Sequence, residues 1–146
     1  MIRYLAAVAL LATLIPHATH AKPVWLGPVE ASVVNVYDGD TLTVDARPWP
    51  LITLRVSVRV HGIDTPEIRG QCASEIEHAQ RAKDRTQSLV GTQVILSQIF
   101  LGKYAGRVVA HVANSDGIDV AQALITEGLA RSYDGGSRPT WCDEAG

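Results

Sequence analysis

The sequence has no surplus of cations: thirteen Lys and Arg face fifteen Asp and Glu across 146 residues. Proteins that hold a polyanion over a broad basic face normally carry many more cations than this, which argues against that mode of binding. A polyanionic ligand would have to meet a few focused positive groups, helped by a bound divalent metal. Clustered Cys and His are missing as well. Cys72 and Cys142 stand seventy positions apart, and His61, His78 and His111 show no ligand spacing, which argues against a zinc centre. His61 and His111 read as ordinary sheet residues. No internal repeat and no low-complexity tract interrupts the chain.

Long apolar runs are also absent. The one sizeable run, Tyr4 to Ile15, is too short to anchor stably across a bilayer. It follows the positive Arg3, breaks at Pro16 and leads to the small residues around Thr19-His20-Ala21, the layout of a secretory signal peptide. The expectation is a signal peptide over 1–21 and a single exported domain over 22–146, periplasmic or secreted, with no membrane attachment after cleavage. Removing Arg3 leaves twelve Lys or Arg against fifteen acids, a mildly acidic mature chain. In oxidising surroundings Cys72 and Cys142 are expected to form one disulfide, with two buried thiols as the alternative.

What is present alternates like sheet. Ser32 to Tyr37 and Thr41 to Val44 flank Asp38-Gly39-Asp40, a hairpin signal. Ile52 to Val60 alternates apolar with polar over nine residues and sets Arg55, Ser57 and Arg59 on one side, which predicts a long half-buried strand. Pro48 and Pro50 predict a loop before it. Ser74 and Glu77 suggest a capping box opening a helix that ends at Val90 before Gly91, with Ile76, Ala79, Thr86 and Leu89 on one side. Strands are predicted again over Gln93 to Phe100 and Val108 to Ala113, then a short helix capped by Asp119 and ending at Gly128. A helix between the third and fourth strands is the order of an OB-fold: an α+β protein with a five-stranded antiparallel β-barrel and two to three helices. An open α+β sheet is the alternative.

Two acidic clusters carry the chemistry: Asp38-Gly39-Asp40-Thr41 after the first strand and Asp64-Thr65-Pro66-Glu67 after the third. Hard divalent cations take carboxylate, carbonyl and water oxygens, and two aspartates at one end of adjacent strands would begin such a site. An EF-hand is excluded, because counting from Asp38 puts Leu42 fifth and Trp49 twelfth. Arg59 precedes Asp64 by five residues, and Arg107 opens a strand after Gly102-Lys103-Tyr104-Ala105-Gly106. Guanidinium forks suit the charge that builds on phosphorus during phosphodiester hydrolysis. Taken singly, each cluster also reads as a turn, and each arginine as a solvated surface residue.

Taken in order, Asp38-Gly39-Asp40-Thr41, Arg59, Asp64-Thr65-Pro66-Glu67 and Lys103-Tyr104-Ala105-Gly106-Arg107 resemble the staphylococcal nuclease (thermonuclease) family. The likeness runs from about Val33 to Tyr133 and includes Asp116-Gly117 and Glu127-Gly128-Leu129-Ala130. It implies a calcium-dependent phosphodiesterase that cuts DNA and RNA on the 5′-oxygen side and leaves 3′-phosphates. On that resemblance Asp40 and Asp64 would hold Ca2+ with the Thr65 carbonyl, Asp38 would act through water, and Glu67 would be the general base. Arg59 and Arg107 would bind the scissile phosphate, and Lys103 and Tyr104 a neighbouring one.

The chain departs from the family in three ways. Ala105 interrupts the family's Tyr-Gly-Arg, the family's long C-terminal helix is expected to be absent or reduced, and the strongly basic charge of the best-known member is missing. A Cys72–Cys142 bridge would pin the shortened tail instead. The acidic balance favours flexible single strands as substrate, cut by a monomer. The rival reading is a catalytically silent OB-type module that binds an oligonucleotide or oligosaccharide.

Overall fold

A computed structural model describes residues 22–142; the signal-peptide expectation for 1–21 lies outside the described residues. Five strands close into a barrel in the order β1 (Val29–Val36), β2 (Thr41–Trp49), β3 (Ile52–Val60), β6 (Arg107–Asn114) and β5 (Gln93–Leu101). The helix α1 (Ala73–Val90) stands between β3 and β5 in sequence, as an OB-type barrel requires, and α2 (Val120–Thr126) follows β6. A two-stranded ladder of β4 (Ile63–Asp64) and β7 (Arg131–Ser132) lies beside the barrel. The fold is therefore α+β, as the element order implied. Four of the five barrel pairings are antiparallel, but β3 and β6 run parallel, from Ser57 beside Arg107 to Val60 beside Ala110. The barrel is mixed rather than wholly antiparallel.

Period-two alternation fills its interior. Leu42, Val44, Val58, Val60, Val94, Leu96, Ala110 and Val112 are all essentially inaccessible, and Leu89, Val90, Val120 and Leu124 close the helical end. No helix among the described residues is long and apolar enough to cross a membrane.

Local signals and tertiary contacts part company at three places. The helix α1 begins at Ala73 with Cys72 as its N-cap and no side-chain cap, so Ser74 and Glu77 form no capping box. Glu75 serves instead: it is buried, and its carboxylate accepts the Gln71 N–H (2.8 Å) and the Glu67 N–H (3.4 Å). Ile76 is exposed, because the inner stripe runs through Glu75, Ala79, Ala82, Thr86 and Leu89. Pro48 belongs to β2 rather than to a loop, at a break in register between Ala46 and Trp49 where no ladder N–H is needed. The start of β3 is exposed, Ile52 and Leu54 included. Pairing with β6 begins only at Ser57, so residues before it have β2 alone as neighbour.

Candidate active site

The turn joining β1 to β2 presents the first acidic pair. Tyr37 and Asp38 both donate their N–H groups to the Thr41 carbonyl (2.8 and 3.4 Å), and the Asp40 N–H donates to Asp38 Oδ1 (3.1 Å). Gly39 lies against α1, where the Thr86 hydroxyl donates to its carbonyl (2.8 Å). A Cβ at Gly39 would stand 2.8 Å from Thr65 Cγ2 and 2.9 Å from Ala82 Cβ. Its backbone is not left-handed, so glycine is needed here for space and not for φ. Gly39→Ala is expected to lower stability by about 1–3 kcal/mol, read as a lower denaturant midpoint at unchanged slope.

Arg59, paired with Thr41 across β2 and β3, joins that turn to the second cluster. Its Nη1 donates to Asp40 Oδ1 (2.6 Å), and its Nη2 donates to the Ile63 carbonyl (3.2 Å) and to Asp64 Oδ1 (3.4 Å). Asp40 Oδ2 accepts the Thr65 N–H (3.1 Å). Asp64 is fixed by the β4–β7 ladder, opposite Arg131. Asp38, Asp40 and Asp64 expose only 7%, 2% and 4% of their surface, so nearly all their charge is withdrawn from water.

Burial pushes the Asp40 carboxyl up to about 6, against the downward pull of the Arg59 guanidinium, and it raises Asp38 too. An acid whose folded pKa exceeds its unfolded value binds protons more readily when folded. The stability linked to Asp40 is therefore greatest below its ordinary value of 3.8 and falls as pH rises through about 6. With a chelator present, Asp40→Asn is expected to be more stable than the wild type at pH 8. The gap should narrow toward pH 4, which thermal unfolding across pH would measure.

Glu67 sits at the open edge of this cluster. Its Oε1 accepts from Arg138 Nη1 (2.7 Å), and Arg138 Nε lies 3.1 Å from Asp64 Oδ1. The indole N–H of Trp141 donates to Asp64 Oδ2 (3.1 Å). Sequence reasoning missed both Arg138 and Trp141, in a stretch whose Gly, Ser and Pro content reads as loop. The expected disulfide was the signal that pointed to them. Cys72 and Cys142 are bonded, with Cα atoms 5.9 Å apart, and Cys72 follows Glu67 by five residues. The bridge therefore draws the tail back over the acids, and no helix follows α2 among the described residues.

Arg107 stands apart from the acids. The parallel register sets it beside Ser57 and sets Arg59 beside Val109, so both arginines occupy the outer face of the barrel, roughly 7 Å apart along the strands. Arg107 makes no ion pair among the described residues; its guanidinium lies 5.5 Å from the Tyr104 ring centre, and Lys103 Nζ lies 5.9 Å from it on the same exposed turn. Tyr104 thus stays against Arg107 despite Ala105. On the same outer side, the His61 and His111 rings stand 4.7 Å apart. His61 belongs to the turn after β3 rather than to a strand, and burial, with His111 beside it, lowers its pKa.

The donor set suits a hard cation. Asp40 and Asp64 offer carboxylate oxygens on either side of one guanidinium, and the buried acids outnumber the cations that reach them. Among the described residues no three of Asp38, Asp40, Asp64 and Glu67 converge to mutual ligating range. With Arg59 between them, Asp40 and Asp64 already share one positive charge. The trio whose ligand atoms do converge within 4.8 Å is Cys72, Glu75 and Cys142, and its two sulfurs are joined to each other.

A closed OB-type barrel with buried acids and arginines at one end of its strands defines a class of small ligand-binding or hydrolytic domains. Residues 57–143 match the sequence model of the Staphylococcal nuclease homologue family, and the chain belongs to that family. It is also similar to two curated proteins, each called "Uncharacterized endonuclease", from Escherichia coli and Escherichia coli O157:H7. Both are 29% identical over 113 residues, which cover 77% of this chain and 66% of theirs. The match spans just under two thirds of those relatives' length.

Proposed function

We propose that this protein is an exported, calcium-dependent nuclease that hydrolyses phosphodiester bonds in DNA and RNA. The observation that carries the reading is Arg59, which spans Asp40 and Asp64 within reach of the loop bearing Glu67. Family membership and the endonuclease relatives support the nucleic-acid substrate. The disulfide supports an oxidising location, periplasmic or outside the cell. The scarcity of cations favours flexible single strands, and a monomer is sufficient for the chemistry.

In this reading Asp40, Asp64 and the Thr65 carbonyl would hold Ca2+, with Asp38 acting through a water. When bound, the ion supplies positive charge to a phosphate oxygen and makes its bound water more acidic. Glu67, on the solvent side, takes the proton of the attacking water. The water oxygen bonds to phosphorus, the bond to the 5′-oxygen breaks, and that oxygen takes up a proton from solvent as it leaves. The fragment upstream of the cut keeps the phosphate on its 3′-oxygen, and the downstream fragment ends in a 5′-hydroxyl. Arg59 and Arg107 orient the scissile phosphate and oppose the charge that builds on it, with Lys103 and Tyr104 placed for a neighbouring phosphate.

Single-stranded DNA incubated with the protein is expected to be degraded with calcium and spared with chelator. Binding without cutting under every metal tried would favour the silent module instead.

A further inference from the structure

We propose that Arg138 is a third phosphate-binding guanidinium, delivered to the site by the disulfide-anchored tail. The proposal rests on the nuclease reading above and extends it to a segment outside the acid and arginine set already assigned.

Arg138 is not what holds the tail in place. The Tyr133 N–H donates to the Gly62 carbonyl (2.8 Å), Arg131 Nη1 donates to the Thr140 carbonyl (2.8 Å), and the Arg131 guanidinium stacks 3.8 Å from the Trp141 ring centre. His78 meets Trp141 edge-on, and the Cys72–Cys142 bond closes the end. These contacts seat residues 133–142 whatever stands at 138. The Arg138–Glu67 pair itself is open to water, with side chains 42% and 51% exposed, and pairs of that kind add little stability. Arg138 also reaches the buried Asp64 (3.1 Å) and lies 5.4 Å from the Tyr133 ring centre, so the tail holds its guanidinium against both acids while the backbone and aromatic contacts named above seat the tail.

Charge balance gives that placement a use. Asp38 and Asp40 are buried beside a cleft that Asp64, Glu67 and Glu75 line, and among the described residues only Arg59 and Arg138 pair with these five acids. One divalent ion together with Arg59 leaves the acids in excess, and a phosphate is repelled. With Glu75 counted, Arg138 brings the cluster to within one charge of neutrality, and Arg107 beyond the acids offsets the remainder. Arg138 uses two of its five N–H donors on carboxylates, so the remainder of its fork is available to phosphate oxygens at the rim of a cleft lined by Asp64, Glu67, Gln71, Thr140 and Trp141. As substrate enters, Arg138 exchanges the Glu67 carboxylate for phosphate and leaves that carboxylate free to accept a proton.

The test is steady-state cutting of a labelled single-stranded oligodeoxythymidylate with calcium, together with anisotropy binding of its non-hydrolysable phosphorothioate analogue. Arg138→Gln should weaken binding and raise KM roughly tenfold, the scale of one lost charge-assisted hydrogen bond, with a smaller change in kcat. It should also reduce the salt slope of log affinity by about 0.7, one phosphate contact on a single strand. Arg138→Lys should restore the slope but not the affinity. The double variant Cys72→Ser/Cys142→Ser, whose tail keeps its Tyr133, Arg131 and His78 contacts, should lose part of that affinity, and adding Arg138→Gln to it should bring the affinity down to that of Arg138→Gln. Unchanged KM and slope in a folded Arg138→Gln would overturn the proposal while leaving the nuclease reading intact. Faster cutting would overturn it too, since the tail would then be an inhibitory strap. A wild type that neither cuts nor binds would sink the nuclease reading, and this proposal with it.

Discussion

Glu67→Gln is expected to slow cutting by roughly a hundred- to ten-thousandfold, the usual contribution of a positioned general base. The amide keeps the shape of the side chain but cannot accept the water's proton. Its effect on folding should be small, because Glu67 is half exposed and its partner Arg138 lies at the surface. Arg107→Ala should follow with a loss of roughly a hundred- to a thousandfold if it opposes developing charge as proposed, and it disturbs no ion pair in the described structure. Initial rates on single-stranded DNA, paired with thermal unfolding of the same samples, separate lost chemistry from lost fold. A Glu67→Gln protein cutting at the wild-type rate would move the base to another residue.

Removing the Cys72–Cys142 bond is expected to cost about 4 kcal/mol of stability. The bond closes a loop of seventy residues, and the chain-entropy relation gives that figure for a loop of such length. For a domain of this size the melting temperature should fall by roughly 15 °C. Denaturant midpoints with and without reductant measure the difference, and Cys72→Ser/Cys142→Ser should no longer respond to reductant. Equal stability of the oxidised and reduced protein would mean that the unfolded chain is already constrained without the bond. Mass spectrometry of the protein purified without reductant should show two fewer hydrogens than the dithiol.

The sequence disclosed most where local pattern and tertiary demand coincide. Ile52 to Val60 alternates strictly, and β3 has those bounds. Asp38-Gly39-Asp40 reads as a hairpin and is one, though the reason for its glycine, the close approach of Thr65 and Ala82, belongs to the packed state. The parallel pairing of β3 with β6 joins strands nearly fifty residues apart, and no local alternation encodes it. At the head of α1 the capping-box pattern competed with a buried Glu75 that gathers two backbone N–H groups from the preceding loop, and the buried carboxylate prevailed. Asp40, Arg59 and Asp64 were legible as a group because their order is distinctive, and they do meet. Arg138 and Trp141 were not, because their placement depends on one covalent bond between distant residues.

That bond also bears on how long the molecule lasts. The exposed turn from Gly102 to Gly106 carries Lys103 and lies inside the stretch that the disulfide spans. A protease that severs the chain there leaves two pieces still joined through sulfur. β5 and β6 would then re-pair as parts of one molecule, at the high effective concentration that a tether provides. A single nick in that turn leaves the barrel strands on one covalent molecule.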